Sequence, residues 1–210
     1  MGNRKNTVAT CALAASLAFL PVAGLGAEGS HPASASATSI STIEIDNFGI
    51  VSPNYYRGAQ PQGDDYADLA ALGVKTVIDL QEDGLEAEPT LVEKAGMKFH
   101  RIPMNTRRVP TTEELGLFLE LVNNPANQPV YVHCAGGRHR TGVMTAVYRM
   151  TSEKWTSEQA FKEMKKYKYG ADFLHPEFKK FVYGYRVAPR LVEAKPAPTA
   201  LAVAVTSAAN

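Results

Sequence analysis

Ten consecutive residues, His133-Cys134-Ala135-Gly136-Gly137-Arg138-His139-Arg140-Thr141-Gly142, gather a thiol, two guanidinium groups, two imidazoles and three glycines. The apolar run Val130-Tyr131-Val132 precedes them, and a helix-compatible stretch from Val143 to Met150 follows. A Gly-containing loop between a strand and a helix can turn its amides inward as a nest for an oxyanion, reinforced by the helix N-terminus. Gly136 and Gly137 are the positions at which the backbone could take up the unusual dihedrals of such a nest. Arg140, separated from Cys134 by five residues, would close the cradle with a planar fork that matches two phosphate oxygens.

The same positive field favours the thiolate of Cys134, the form in which cysteine is a nucleophile. The loop therefore predicts Cys134 as the attacking group. Ala135, Gly136, Gly137, Arg138, His139 and Arg140 are expected to hold the phosphate. Thr141 is positioned for its hydroxyl to hydrogen-bond the sulfur when the thiolate leaves again. His133 is expected to orient the loop through its ring nitrogens, because an already ionised nucleophile needs no base.

The elements around the loop alternate. A helical segment from Asp64 to Leu72 stops at Gly73, and the β-branched run Lys75 to Leu80 follows. Pro89 to Ala95 reads as a helix ended by Gly96, and Lys98 to Ile102 as the next strand. Thr111 with Glu114 makes a capping box, after which Leu115, Phe118, Leu119 and Val122 fall on one helical face. A second capping box, Thr156 with Gln159, opens a helix through Lys166, and Pro176 to Tyr185 makes another. This alternation predicts an α/β fold, a mostly parallel twisted sheet flanked by helices on both faces. Ligands of such sheets bind at the carboxyl ends of the strands, where the Cys134 loop lies.

The pattern His-Cys-x-x-Gly-x-x-Arg-Thr-Gly resembles the phosphate loop of the cysteine-dependent protein tyrosine phosphatase superfamily, in its dual-specificity branch. Its ending, Arg138-His139-Arg140-Thr141-Gly142, is similar to that of the plant and fungal atypical dual-specificity phosphatases and their bacterial relatives. Phe48-Gly49-Ile50-Val51, Tyr56-Arg57-Gly58-Ala59-Gln60-Pro61 and Leu72-Gly73-Val74-Lys75-Thr76-Val77-Ile78-Asp79-Leu80 resemble the same group. The resemblance covers about residues 44–186. It implies that Cys134 attacks phosphorus to give a phosphocysteine, that Arg140 binds the equatorial oxygens, and that water hydrolyses the intermediate without a metal or other cofactor.

One part of the pattern is missing. Leaving-group protonation usually falls to an aspartate on the loop before the next helix. Here that loop, Pro103 to Thr112, contains no aspartate. Glu113 and Glu114 are the nearest carboxylates, and Glu114 already caps the helix. Glu113, a more remote acid such as Asp83, and a leaving group acidic enough to need no donor remain open. Arg138 with Arg107 and Arg108 suggests a substrate with several phosphates, such as an inositol phosphate, as well as phosphoproteins. Arg57 and Gln60 are expected to fix the N-terminal segment. His31, His100 and His175 are scattered, and no His, Asp and Glu cluster has metal-ligand spacing along the chain.

Composition narrows the alternatives. In 210 residues, 22 basic against 21 acidic side chains lack the electrostatic footprint of a nucleic-acid binder. Residues 1–27 carry Arg4 and Lys5, a 13-residue apolar run from Val8 to Leu20, and the small-residue stretch Ala23-Gly24-Leu25-Gly26-Ala27. They read as a secretory signal peptide, too short to span a bilayer, which predicts a periplasmic or secreted protein with no stable membrane insertion. Its removal would leave 20 basic against 21 acidic residues, and Cys134 as the only cysteine. Residues 28–41 read as a flexible lead-in, 42–187 as the folded domain, and 188–210 as a disordered Pro/Ala-rich tail.

Two other function classes compete with a phosphatase. A rhodanese-type sulfurtransferase also uses a loop cysteine, but its loop lacks the five-residue interval to an Arg-Thr-Gly. A phosphate-binding module without turnover would explain the missing aspartate, yet binding alone needs no thiol.

Overall fold

The computed structural model describes residues 43–187. The expected signal peptide, most of the lead-in and the Pro/Ala-rich tail lie outside the described residues. Five strands form one sheet: β1 (Gly49–Ser52), β2 (Tyr55–Gly58), β3 (Thr76–Asp79), β4 (Lys98–Arg101) and β5 (Val130–His133). Their spatial order is β1-β2-β5-β3-β4, parallel except for the β1/β2 pair. The predicted mostly parallel sheet is therefore present. Its antiparallel β1/β2 hairpin was not read from the sequence, because four-residue strands containing Gly49, Arg57 and Gly58 carry little alternation.

The helices are α1 (Asp65–Ala71), α2 (Glu88–Lys94), α3 (Thr112–Asn123), α4 (His139–Ser152), α5 (Ser157–Lys166) and α6 (Pro176–Gly184). Gly73 and Gly96 take positive φ just beyond α1 and α2, the left-handed stop that glycine permits. Both capping boxes form, Thr111 with Glu114 and Thr156 with Gln159.

Strand side chains alternate between two cores, as the period of two requires. Tyr55, Ile78, Val130 and Val132 pack with α3 and α4, including Phe118, Leu119, Val122, Met144 and Val147. Tyr56, Val77 and Tyr131 pack on the other face with Tyr66 and Leu69 of α1 and Val92 of α2. A third cluster joins α4 to α5 and α6 through Val143, Ala146, Met164, Phe178 and Val182. Helices thus cover both faces, and the buried strands β2, β3 and β5 have no solvated side.

Register decides what this sheet can position. Gly58 pairs with His133, His133 with Asp79, and Asp79 with Arg101. The last residues of four parallel strands therefore stand in one rank at the carboxyl edge, and Cys134 is the next residue of the chain.

Candidate active site

The phosphate loop runs from the end of β5 into the first turn of α4. The helix begins at His139, so Arg140 and Thr141 are already helical, earlier than the expected start at Val143. Cys134 is buried, with 4% of its surface exposed. Three of the loop's carbonyls are held from outside the loop. Ala135 accepts from the Gln60 amide at 3.3 Å. Gly136 and Gly137 accept from Asn47 Nδ2 at 3.3 and 2.8 Å, and Gly137 also from Arg57 Nη2 at 2.5 Å. Arg138 accepts from the Gly142 amide at 3.0 Å, in the first turn of α4. A peptide plane points its N–H opposite its C=O, so carbonyls tied outward present the amides of this loop to its concave side.

Gly137 has φ +61°, and a Cβ there would run into the Gly58 carbonyl and come within 2.8 Å of the Ala59 amide nitrogen. Gly136 differs from the expectation. Its φ is not positive, and a Cβ would meet only the flexible Arg138 side chain at 3.3 Å. One of the two glycines, not both, is required by the backbone.

Arg140 is buried and donates through Nη1 to the Met104 carbonyl at 3.1 Å, while its Nε is buried without a partner. The Thr141 hydroxyl is likewise buried and unpartnered. Buried polar groups are nearly always hydrogen-bonded, so orphans on two adjacent loop residues mark a place where a ligand's oxygens belong. Arg138 is half-exposed and 4.0 Å from Asp46. His139 contributes only its backbone to the loop. Its ring turns away to the Tyr169 carbonyl at 3.0 Å and lies 4.0 Å from the His175 ring, centroid to centroid.

His133, expected to orient the loop through its ring nitrogens, turns those nitrogens toward carboxylates. It is fully buried, stacked on Tyr131, with Nε2 2.9 Å from Glu88 Oε1 and Nδ1 3.9 Å from Asp79 Oδ1. The 2.9 Å approach is off the ring N–H direction, so it is an electrostatic contact and not an aligned hydrogen bond. Asp79, Glu88 and His133 offer ligand atoms within 4.8 Å of one another, a cluster that spacing along the chain hid because β3, α2 and β5 converge only in the fold. Arg101 stands over it, 2.8 Å from Asp79 and 3.7 Å from Glu88, and supplies the positive charge. Burial pushes the Asp79 carboxyl above its usual range, against the pull of His133.

The two acids closest in sequence are not proton donors in place. Glu113 is exposed at the start of α3, where its own amide and then the Thr111 hydroxyl hold its carboxyl below the usual range. Glu114 is occupied by its capping box and by Arg108 at 2.6 and 2.8 Å. The expected basic collar is also smaller, since Arg108 is spent on Glu114 and Arg107 alone on that loop is exposed and uncommitted. The carboxylate the fold brings to Arg140 is Asp83, whose Oδ1 is 3.5 Å from Nη1.

Residues 44–180 match the family described as DSP-PTPase phosphatase fused to NAD+ kinase. The chain belongs to this family. It is 32% identical over 120 residues to the dual specificity protein phosphatase TpbA of Pseudomonas aeruginosa (strain UCBPP-PA14), covering 57% of this chain and 54% of that protein. The P. aeruginosa TpbA crystal structure superposes with a TM-score of 0.59 at 28% identity, over 67% of this chain and 86% of that one. The catalytic core of the Saccharomyces cerevisiae PP-IP phosphatase SIW14, crystallised with citrate, gives 0.59 at 25% identity, over 68% and 86%. This chain thus spans about half the length of the full TpbA sequence and most of the crystallised domains.

Within this phosphatase fold, sequence reasoning underrated several residues. Arg57 and Gln60 do more than fix the N-terminal segment. Arg57 is fully buried, stacks 4.0 Å from the Tyr167 ring, and holds the Gly137 carbonyl. Gln60 donates to Glu88 at 2.6 Å and accepts from Gln81 at 2.7 Å. Asn47 and Glu88 gave no signal at all beyond the left-handed φ that asparagine tolerates at position 47.

Proposed function

We propose that this chain is a cysteine-dependent phosphatase that hydrolyses phosphate monoesters through a phosphocysteine on Cys134. The observation that carries this reading is the pair of buried, unpartnered donors on Arg140 and Thr141, set on a loop whose carbonyls are tied outward around one thiol. The loop amides and Arg140 take the three non-bridging phosphate oxygens and stabilise the charge of the transition state. Sγ of Cys134 attacks phosphorus and the ester oxygen leaves. Water then attacks the phosphocysteine, and Thr141 Oγ1 steadies the departing thiolate. His133 and its buried partners hold the loop and touch no substrate. No metal ion is used, and Arg101 serves the carboxylates that could otherwise hold one.

The substrate is a phosphorylated protein, on tyrosine or on serine and threonine, or a polyphosphorylated inositol. TpbA and SIW14 represent these two classes, and the exposed Arg107 and half-exposed Arg138 suit both. The leader-like residues 1–27 support export to the periplasm or beyond the cell. Phosphate release from para-nitrophenyl phosphate, phosphopeptides and inositol phosphates tests the activity. Cys134→Ser must abolish it. Binding of inorganic phosphate with no release from any ester would instead mark a module without turnover.

A further inference from the structure

A thiolate can attack phosphorus unaided, but an alkoxide or phenolate leaves poorly unless it is protonated as the bond breaks. The phosphatase reading above therefore needs a proton donor at the mouth of the phosphate loop, and Pro103 to Thr112 provides none. Glu113 points to its own helix start, and Glu114 is bound to Arg108.

The loop after β3 is built differently. Asp83 is 86% exposed, yet its Oδ1 lies 3.5 Å from Nη1 of Arg140, a guanidinium only 9% exposed. The carboxylate thus covers the solvent side of the arginine that grips the phosphate. Both flanks of Asp83 are fixed. The Glu82 amide donates to the Met104 carbonyl at 3.0 Å, and Asn105 Nδ2 donates to the Glu82 carboxylate at 3.0 Å. Met104 is the residue whose carbonyl also anchors Arg140. On the other side, Gly84 packs so closely on Asp79 and Arg101 that a Cβ would collide with the Asp79 carboxylate and stand 2.8 Å from Arg101 Nη2. Gln81 is tied to Asp79 Oδ1 through its amide at 3.0 Å. An exposed acid would ordinarily roam; this one is carried by a loop clamped before and after it.

We infer that Asp83 is the general acid of this enzyme, supplied from the β3–α2 loop and not from the loop that precedes α3. Asp83 borders the guanidinium whose free donors take the phosphate, so its carboxyl is placed to reach the leaving oxygen at the mouth of the loop. In the first step the Sγ–P bond forms and the P–O bond breaks. The electron pair of that bond goes to the leaving oxygen, which takes the proton of Asp83 and departs as an alcohol or phenol. In the second step water attacks phosphorus, gives a proton to the Asp83 carboxylate, and the P–S bond breaks to return the thiolate and free phosphate. The acid is thereby restored.

Aryl phosphates of graded phenol acidity test this on the full chain. Asp83→Asn is expected to lower kcat/KM on phenyl phosphate by about a hundredfold, within the range of a positioned acid. On an ester whose phenol is as acidic as a carboxylic acid it should change kcat/KM by less than about threefold, because kcat/KM reports only the step that forms the phosphocysteine and that leaving group needs no proton. Asp83→Glu should recover part of the loss. A loss of kcat/KM equal on both esters, or none on either, would overturn the assignment, the former making Asp83 a mere partner of Arg140. A leaving-group dependence steepened in Glu113→Gln would also overturn it. Turnover that survives in Cys134→Ser, or no turnover by the wild-type chain on either ester, would overturn the phosphatase reading itself.

Discussion

Arg57 Nη2 donates to the carbonyl of Gly137 at 2.5 Å, joining the end of β2 to the tip of the phosphate loop across 80 positions of sequence. Arg57 is wholly buried, and Asn47 is the only other donor to that carbonyl among the described residues. Arg57→Met keeps most of the volume and removes the donor. It should cost about 1–3 kcal/mol in urea unfolding, the range for leaving one buried partner unpaired. It should also weaken vanadate binding, because the Gly137 peptide would be free to rotate. Unchanged vanadate affinity would show that Asn47 alone sets the loop.

The two loop glycines should respond in opposite ways. Gly137→Ala forces a Cβ into the Gly58 carbonyl at a positive φ, and a loss of about 2–4 kcal/mol with no measurable turnover is expected. Gly136→Ala meets only the Arg138 side chain and should fold with stability within about 0.5 kcal/mol of wild type. Thermal unfolding of the two variants side by side checks the contrast.

His139 predicts an acid sensitivity. Burial, and then the neighbouring His175, hold its ring below the ordinary histidine value of 6.5. Arg138 and Arg140 act in the same direction, the Tyr169 carbonyl opposes them, and Glu177 lies against His175 at 3.4 Å. A depressed histidine stabilises the fold fully above its unfolded pKa. That contribution is lost as pH falls below 6.5 toward the folded value, because the unfolded chain takes the proton first. Urea midpoints should therefore fall between pH 7.5 and pH 5.5, and His139→Gln should flatten the fall (both values are about one unit either side of that pKa).

Glu88 anchors the rank of strand ends. It is wholly buried among His133, Arg101, Gln60 and Tyr66. Glu88→Ala strips a buried charge network of one partner and should cost about 3–5 kcal/mol. Glu88→Gln, which keeps the shape, should cost less. Turnover is expected to persist in EDTA, since Arg101 already serves these carboxylates; loss of turnover restored by a divalent ion would make Asp79, Glu88 and His133 a metal centre.

The loop from Cys134 to Thr141 was legible because its function is local: thiol, glycines, arginine and helix start follow one another in the chain. Helices closed by Gly73 and Gly96 or opened by Thr111 and Thr156 were equally plain, since each stop or cap is written within four residues. What supports the loop was not legible. Asp79, Arg101 and His133 meet through strand register, and register across β3, β4 and β5 depends on how three separated segments pack. Arg57 could be read only as fixing the N-terminal segment, because its type is rarely buried and nothing near it in sequence announces Gly137 or Tyr167 as partners. Asp83 could be named but not placed, since only the fold brings the β3–α2 loop over Arg140.

The central claim is a covalent phosphocysteine, and its most direct measurement is mass spectrometry of enzyme quenched in acid during turnover of para-nitrophenyl phosphate. The expected result is one added phosphoryl group on the peptide that contains Cys134, gone once substrate is exhausted and never formed when Cys134 is alanine. Steady turnover with that peptide unmodified, or turnover retained in Cys134→Ala, would contradict it.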